Sequence, residues 1–257
     1  MNYLEALSKH FYHPSDLLWK AVELQAVADS GVLDNLPRPI LDLGCEDGKL
    51  MEVLLGKNQV DYGLDLNPDK YAYQVYKKVI KADLQAVPLP DRSIGTIISF
   101  VTLHLVPDID MTFKEIYRLL KPGGKLIFTV PNANFSDNLF IFQVLKRVGL
   151  NGLAIRYVTW RNRQLENRYL YASTQWKKYL VGLKFKEISC HEYLTGTELI
   201  LWDQLALLTK IGFLYPKINQ LLDRNMAINL NYLILTGLIN RDYHNKIFCG
   251  SMISCRK

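Results

Sequence analysis

Between Ile40 and Val130 the chain repeats a pattern of short apolar runs separated by stretches of helical period, the signature of strands alternating with helices. Ile40-Leu41-Asp42-Leu43 has the length and apolar content of a buried strand. It breaks into Gly44-Cys45-Glu46-Asp47-Gly48, and Leu50 to Leu55 then read as a helix. Tyr62-Gly63-Leu64-Asp65-Leu66 reads as a second strand, and Ile94 to Phe100 is a continuous apolar run of strand length. Lys121-Pro122-Gly123-Gly124-Lys125 is a turn that leads into a further strand, Leu126 to Val130. Upstream, residues 1–36 are expected to be helical. Leu17, Leu18, Ala21, Val22, Leu24 and Val27 recur at helical spacing, and Gly31 ends the run. The pattern predicts an α/β fold with residues 37–131 as its strand–helix core. Two further segments, 132–172 and 196–245, carry helical periodicity: Phe140 to Val148 in the first, then Leu199 to Leu208, Phe213 to Leu222 and Ala227 to Ile239 in the second.

The loop after the first strand carries the chemistry. Gly44 and Gly48 lack Cβ atoms, so the backbone there can turn sharply and approach a ligand. The helix that follows offers free backbone N–H groups at its start. The two glycines are four residues apart, which fits neither G-x-G-x-x-G nor G-x-x-x-x-G-K-[ST]. An acid placed before the loop, Asp42, would repel a pyrophosphate, yet it suits an amino group or a sulfonium. Asp65 ends the second strand about twenty residues on, where a doubly wound nucleotide-binding sheet holds a ribose. The plainer alternative is that Asp42 is a strand-end turn residue and the glycines serve an ordinary turn.

In this pattern the chain resembles the class I S-adenosylmethionine-dependent methyltransferases. Their [DE]-x-G-x-G-x-G motif is matched at Asp42, Gly44 and Gly48, and it departs at Glu46, which must then adopt a permissive backbone angle. The resemblance implies a Rossmann-like doubly wound sheet of seven strands, the last antiparallel. Thr174 to Leu183 would supply the closing helix, and Phe185 to His191 with Ile247 to Cys255 the final strand pair. It also implies S-adenosyl-L-methionine as cofactor and S-adenosyl-L-homocysteine as product. Asp65 would take both ribose hydroxyls. Lys81-Ala82-Asp83-Leu84 resembles the third strand, with Asp83 on the adenine amino group and Leu84 near the ring. Cys45 and Leu66 fall within the same binding set, and Ser99, Phe100 and Val101 would flank the methionine part. Where the family has an aspartate, this chain has Gly95. The domain plan is then 1–36 helical, 37–131 core, 132–172 cap, 173–195 core again, 196–245 an apolar cap and 246–257 the closing strand. Phe11, Tyr12 and Trp19 are candidates to close over the cofactor from the N-terminal helix, with simple packing as the alternative.

His104, just beyond the fourth strand, is the candidate catalytic base, because an unperturbed imidazole titrates near physiological pH; a structural role in capping or packing is the alternative. His10, His13, His191 and His244 have weaker claims, and no spacing of His, Asp and Glu suggests a metal site. Cys45, Cys190, Cys249 and Cys255 form no C-x-x-C pair and read as free thiols in a reducing compartment. No secretory signal is expected, and the location expected is cytoplasmic. The 257 residues, 49% hydrophobic and 22% charged, suit a folded domain. A net charge of +6 permits an acidic partner without requiring one.

The apolar segment 196–245 is broken by Asp203, Gln204, Lys210, Pro216, Asn229 and Asn231, which argues against a membrane span. Peripheral membrane contact, a groove for an acyl or prenyl chain, and a homodimer interface all stay open. The stretch from Arg156 to Lys178 interleaves cations with aromatics, which suits single-stranded nucleic acid, an anionic small molecule or a lipid head group; nucleic acid is disfavoured because no N-P-P-[YF] tetrad follows the fourth strand. The expected activity is methylation of a small or lipid-like acceptor, at oxygen, in biosynthesis. A non-catalytic protein that binds S-adenosylmethionine or a partner is the alternative.

Overall fold

The computed structural model describes residues 3–11, 13–214 and 247–257, with backbone alone for 209–214. Tyr12, His244 and the expected helices beyond Leu214 lie outside the described residues. Helix α1 (Tyr3–Ser8) and α2 (Pro14–Asp29) open the chain. The core follows as β1 (Ile40–Leu43), α3 (Lys49–Leu55), β2 (Tyr62–Asp65), α4 (Ala72–Val75), β3 (Lys78–Lys81), β4 (Ile94–Phe100), α5 (Ile109–Leu119) and β5 (Leu120–Pro131). Then come α6 (Phe140–Arg147), α7 (Asn151–Gln164), α8 (Ser173–Gly182), β6 (Lys186–Thr195), α9 (Gly196–Leu214) and β7 (Phe248–Arg256).

The seven strands make one sheet in the order β3-β2-β1-β4-β5-β7-β6. Strands β1 to β5 run parallel, while β7 is antiparallel to β5, with Phe128 opposite Ile253. The order reverses between β1 and β4, and in sheets of this kind ligands bind outside the carboxyl ends of the strands at that point. Every residue of β1 and β4 is buried. That is why both strands read as continuous apolar runs rather than alternating ones: a parallel sheet is covered on both faces.

Two compact units divide the chain. One comprises residues 26–133, 166–192 and 250–257, the other residues 1–25, 134–165 and 193–249. The first holds the sheet's main core, in which Leu41, Leu64, Ile97, Phe113, Phe128, Trp176 and Ile253 are buried together. Trp176 lies 5.2 Å edge-on from Phe128, and Phe113 lies 5.6 Å edge-on from the same ring. Aromatic pairs of this geometry add about 0.5–1.5 kcal/mol beyond the area they bury. In the second unit Asp203, fully buried, accepts from both Nε and Nη2 of Arg161 at 3.2 and 3.1 Å. It also accepts from the Tyr157 hydroxyl and the Phe140 amide, each at 3.1 Å. One carboxylate thus joins α9 to α6 and α7. Asp203, an interruption of an apolar run when seen along the sequence, is the polar centre of this helical unit.

The cation–aromatic stretch from Arg156 to Lys178 is not one surface. Arg161 is buried in the ion pair just described and Trp176 in the sheet core, and the stretch crosses from one unit to the other. Its aromatics are therefore not a row of free stacking platforms. Among the described residues no helix is long and apolar enough to cross a membrane, and no group of His, Cys, Asp or Glu is arranged to hold a metal ion.

Candidate functional site

At the end of β1 the backbone climbs onto its neighbour. Gly44 and Cys45 both donate to the Leu64 carbonyl, at 2.8 and 3.0 Å, so the loop is tied to β2. Gly44, Glu46 and Gly48 all have left-handed φ, at +80°, +45° and +76°. Glu46 thus adopts the angle that its place in the motif demands of a glycine, at a modest steric cost. Its carbonyl accepts from the Asp69 amide at 3.0 Å, and its own amide donates to Asp65 at 3.1 Å. Gly48 is the N-cap residue of α3 and has no side chain with which to cap it. The Asp47 carboxylate accepts from the Lys49 amide at 3.0 Å and pairs with the Lys49 ammonium at 2.7 Å.

The glycines have a second reason, which the sequence does not reveal. A Cβ at Gly44 would collide with the Thr102 side chain, 2.5 Å from its Cγ2. A Cβ at Gly48 would sit 2.7 Å from the Tyr76 ring, and one at Gly63 would sit 2.5 Å from the same ring. Gly48 and Gly63 together leave the slot that Tyr76 fills. Its hydroxyl donates to Asp42 Oδ2 at 2.5 Å, deep enough that Asp42 is only 5% exposed. Burial, and then the neighbouring Asp42 charge, push the Tyr76 phenol far above its usual range, so it stays a donor at any physiological pH. The Cys45 thiol is raised likewise, by burial first and then by Asp42 and Asp65, which keeps it protonated and unreactive.

Asp65, half-buried at the end of β2, accepts the Glu46 amide on one oxygen and the Asn67 amide on the other, the latter at 2.8 Å. A carboxylate has about four lone-pair sites, so both oxygens retain capacity for a ligand's hydroxyls. Leu66 beside it is exposed. Asp83 is exposed too. It lies past β3, which ends at Lys81, because the carboxylate accepts the Gln85 amide at 2.8 Å and turns the chain away. The third acid is therefore a loop residue rather than a strand end. Leu84 points into the sheet core and packs among its apolar residues.

The segment leaving β4 differs from expectation in its polar groups. Ser99 is fully buried, and its hydroxyl donates to the Leu43 carbonyl at 2.9 Å, tying β4 to β1. Phe100 is nearly buried. Val101 adopts φ +49°, an outlier for a β-branched residue, and its amide donates to the Thr129 carbonyl at 3.0 Å. Backbone strain of this sort concentrates at ligand sites. His104 is only 2% exposed. Burial pushes its imidazole down to about 3, although a hydrogen bond to Asn167 pulls the other way. Nδ1 has no hydrogen-bond partner, while the His104 carbonyl accepts from the Arg168 and Tyr169 amides. The imidazole is thus neutral at physiological pH and far less basic than its position in the sequence suggested.

Gly95, the departure from the family's aspartate, lies far along β4 from this edge. A Cβ there would fall 2.5 Å from the Pro37 carbonyl oxygen. Backbone occupies the place of a side chain, so the glycine reflects packing.

Asp42, Asp65, Asp83 and the glycine loop thus lie along the carboxyl ends of β1 and β2 and just beyond β3, three adjacent strands. Val101, expected from the sequence beside the cofactor's methionine part, joins them, and so do Tyr76 and Thr102, neither of which the sequence had flagged as a partner to the loop. Residues 41–128 match the model of a methyltransferase domain. Among curated proteins the chain is 31% identical over 104 residues to a malonyl-[acyl-carrier protein] O-methyltransferase of Yersinia pestis, covering 39% of each chain. It is 32% identical over 101 residues to a sterol 4-C-methyltransferase of Caenorhabditis elegans, covering 34% of this chain and 29% of that one. The similarity therefore spans well under half of either relative. A SAM-dependent methyltransferase from Thermotoga maritima superposes with a TM-score of 0.55 over 93% of this chain and 89% of its own, at 16% identity. Residues 41–128 are a methyltransferase domain, and the fold that contains them is that of the class I S-adenosylmethionine-dependent methyltransferases.

Proposed function

We propose that the protein transfers a methyl group from S-adenosyl-L-methionine to a small or lipid-like acceptor, at oxygen. The observation that carries this reading is the row of three carboxylates, Asp42, Asp65 and Asp83, beside a loop with left-handed residues at three alternate positions, Gly44, Glu46 and Gly48. A nucleoside with a cationic amino-acid tail complements such a row. Asp65 would receive the ribose hydroxyls and Asp83 the adenine amino group, with Leu66 exposed beside them. Asp42, held by Tyr76, would contribute negative charge near the amino and sulfonium groups. Gly44, Cys45 and Gly48 would shape the loop, and Ser99 and Phe100 would form the floor, Ser99 through its hold on β1 rather than by direct contact.

The bound cofactor supplies a methyl group on a positively charged sulfur, already a good leaving group. What the chain must add is alignment and exclusion of water. The strained backbone at Val101 and the buried Ser99–Leu43 bond fix the floor on which that alignment depends. A base is needed only for an acceptor that must lose a proton, and His104 is the candidate. Its unpartnered Nδ1 favours that role, and its low basicity opposes it. Acceptor choice is assigned to the segments 132–172 and 196–245, because the chain enters the first directly from the carboxyl end of β5. The names of the curated relatives, one acting on malonyl-[acyl-carrier protein] and one on a sterol, support a lipid-like acceptor.

Calorimetric titration with S-adenosylmethionine and S-adenosylhomocysteine tests the proposal. Micromolar binding of either is expected, and Asp65→Ala should weaken it by about 1–3 kcal/mol, the scale of hydrogen bonds to a charged group. A folded protein that binds neither compound refutes the reading.

A further inference from the structure

Within the helical unit, the stretch from Asn138 to Gln164 contains five Lys and Arg residues and no Asp or Glu. Four of these cations, Lys146, Arg147, Arg156 and Arg163, are exposed, and the fifth, Arg161, is buried. The inner side of α7 is settled: Ala154 is buried, and Arg161 is held by Asp203. That orientation turns Leu153, Arg156, Trp160 and Arg163 outward, at successive helical spacings of three, four and three residues. All four are exposed, so apolar and cationic side chains alternate along one stripe. The end of α6 and the turn that follows add Val144, Lys146, Arg147, Val148 and Leu150, again all exposed. Val148 and Ile155 are 63% and 64% exposed, so most of the surface of two β-branched apolar residues meets water.

We propose that this α6–α7 surface docks the protein on an anionic lipid bilayer. The apolar side chains would enter the boundary between head groups and acyl chains, Trp160 would sit at that level, and the cations would meet lipid phosphates and carboxylates. Charge decides in favour of a bilayer over a second copy of the chain. Two copies would bring Lys146, Arg147, Arg156 and Arg163 against the same cations with no acid in the stretch to offset them. The stretch lies in α6 and α7, before segment 196–245, for which the sequence leaves peripheral membrane contact open. The inference does not rest on the proposed activity, since lipid binding is measured without turnover.

The experiment is co-sedimentation of the full chain with vesicles of phosphatidylcholine alone or mixed with phosphatidylserine. Binding is expected to the mixed vesicles, to fall with salt, and to be weak on phosphatidylcholine. Each neutralised cation lowers partition about fivefold, so a Lys146→Gln, Arg147→Gln, Arg156→Gln variant should lose about a hundredfold. A Leu153→Ser, Ile155→Ser variant keeps every charge and should also lose binding. These positions are exposed, so both variants should unfold in urea at the wild-type midpoint, and S-adenosylmethionine titration of the same samples should be unchanged. That control separates failure here from failure of the methyltransferase reading. The proposal is overturned if the wild type ignores phosphatidylserine or if both variants bind as it does. It is also overturned if light scattering shows a dimer that the same substitutions dissociate while no vesicle binding is seen.

Discussion

Replacing Tyr76 with Phe removes a single oxygen and tests how the loop after β1 is held. The ring stays in the slot that Gly48 and Gly63 leave open. What disappears is the 2.5 Å bond to Asp42, a carboxylate that is 5% exposed. A hydrogen bond to a charged partner contributes about 1.5–3 kcal/mol, and burial places this one toward the upper part of that range. Urea unfolding should therefore show Tyr76→Phe less stable by about 2–3 kcal/mol with an unchanged m-value. Gly63→Ala attacks the same slot from the other side. Its Cβ would meet the ring 2.5 Å away, and the ring is walled in and cannot swing clear. In a Tyr76→Ala background the ring is gone, so Gly63→Ala should cost much less there than in the wild type, giving a coupling energy of about 1 kcal/mol or more. Cofactor affinity should fall with Tyr76→Phe as well, because Asp42 adjoins the loop. If Tyr76→Phe changes stability by less than about 0.5 kcal/mol, the range of ordinary surface substitutions, or if Gly63→Ala costs the same in both backgrounds, the slot argument is wrong.

His104 makes stability depend on pH. Its folded-state imidazole titrates at about 3 against 6.5 for the model group, so below about pH 6.5 the unfolded chain binds a proton that the folded chain refuses. Its contribution is intact above that pH and is lost as pH falls, at up to about 1.4 kcal/mol per pH unit. A His104→Gln variant should show a correspondingly flatter decline in chemical unfolding between pH 6.5 and 5, and equal slopes refute the burial argument. The same variant tests the base: a wild-type rate profile over pH excludes His104 from proton transfer. Asp203→Ala strands the Arg161 guanidinium without its partner and should destabilise the helical unit by about 3–5 kcal/mol, read as lost helical signal at lower urea. Gly95→Asp, which restores the family's residue, should destabilise by about 1–3 kcal/mol or more through overpacking against the Pro37 carbonyl, measured as a lowered Tm.

The core and the outline of the site were legible along the chain because they are local. Continuous apolar runs mark buried parallel strands, and glycines mark where the backbone must turn. Acids near the ends of two such runs come to the same edge of the sheet once the strands pair in order, Asp42 opposite Gly63 and Asp65 two residues further along β2. Even the left-handed angle at Glu46 followed from its place in the motif. What only the tertiary structure decided depends on neighbours far away in sequence. Tyr76 reaches Asp42 across 34 positions, and Thr102 and Pro37 explain the glycines at 44 and 95 by occupying the space of a Cβ. Position alone makes His104 a candidate base, but basicity is set by burial, and burial is a property of the packed fold. Asp203 reads as a break in an apolar helix until Arg161, 42 residues earlier, comes to lie against it. Sequence carries period and chemistry; the solvation of each group is decided when distant segments close around it.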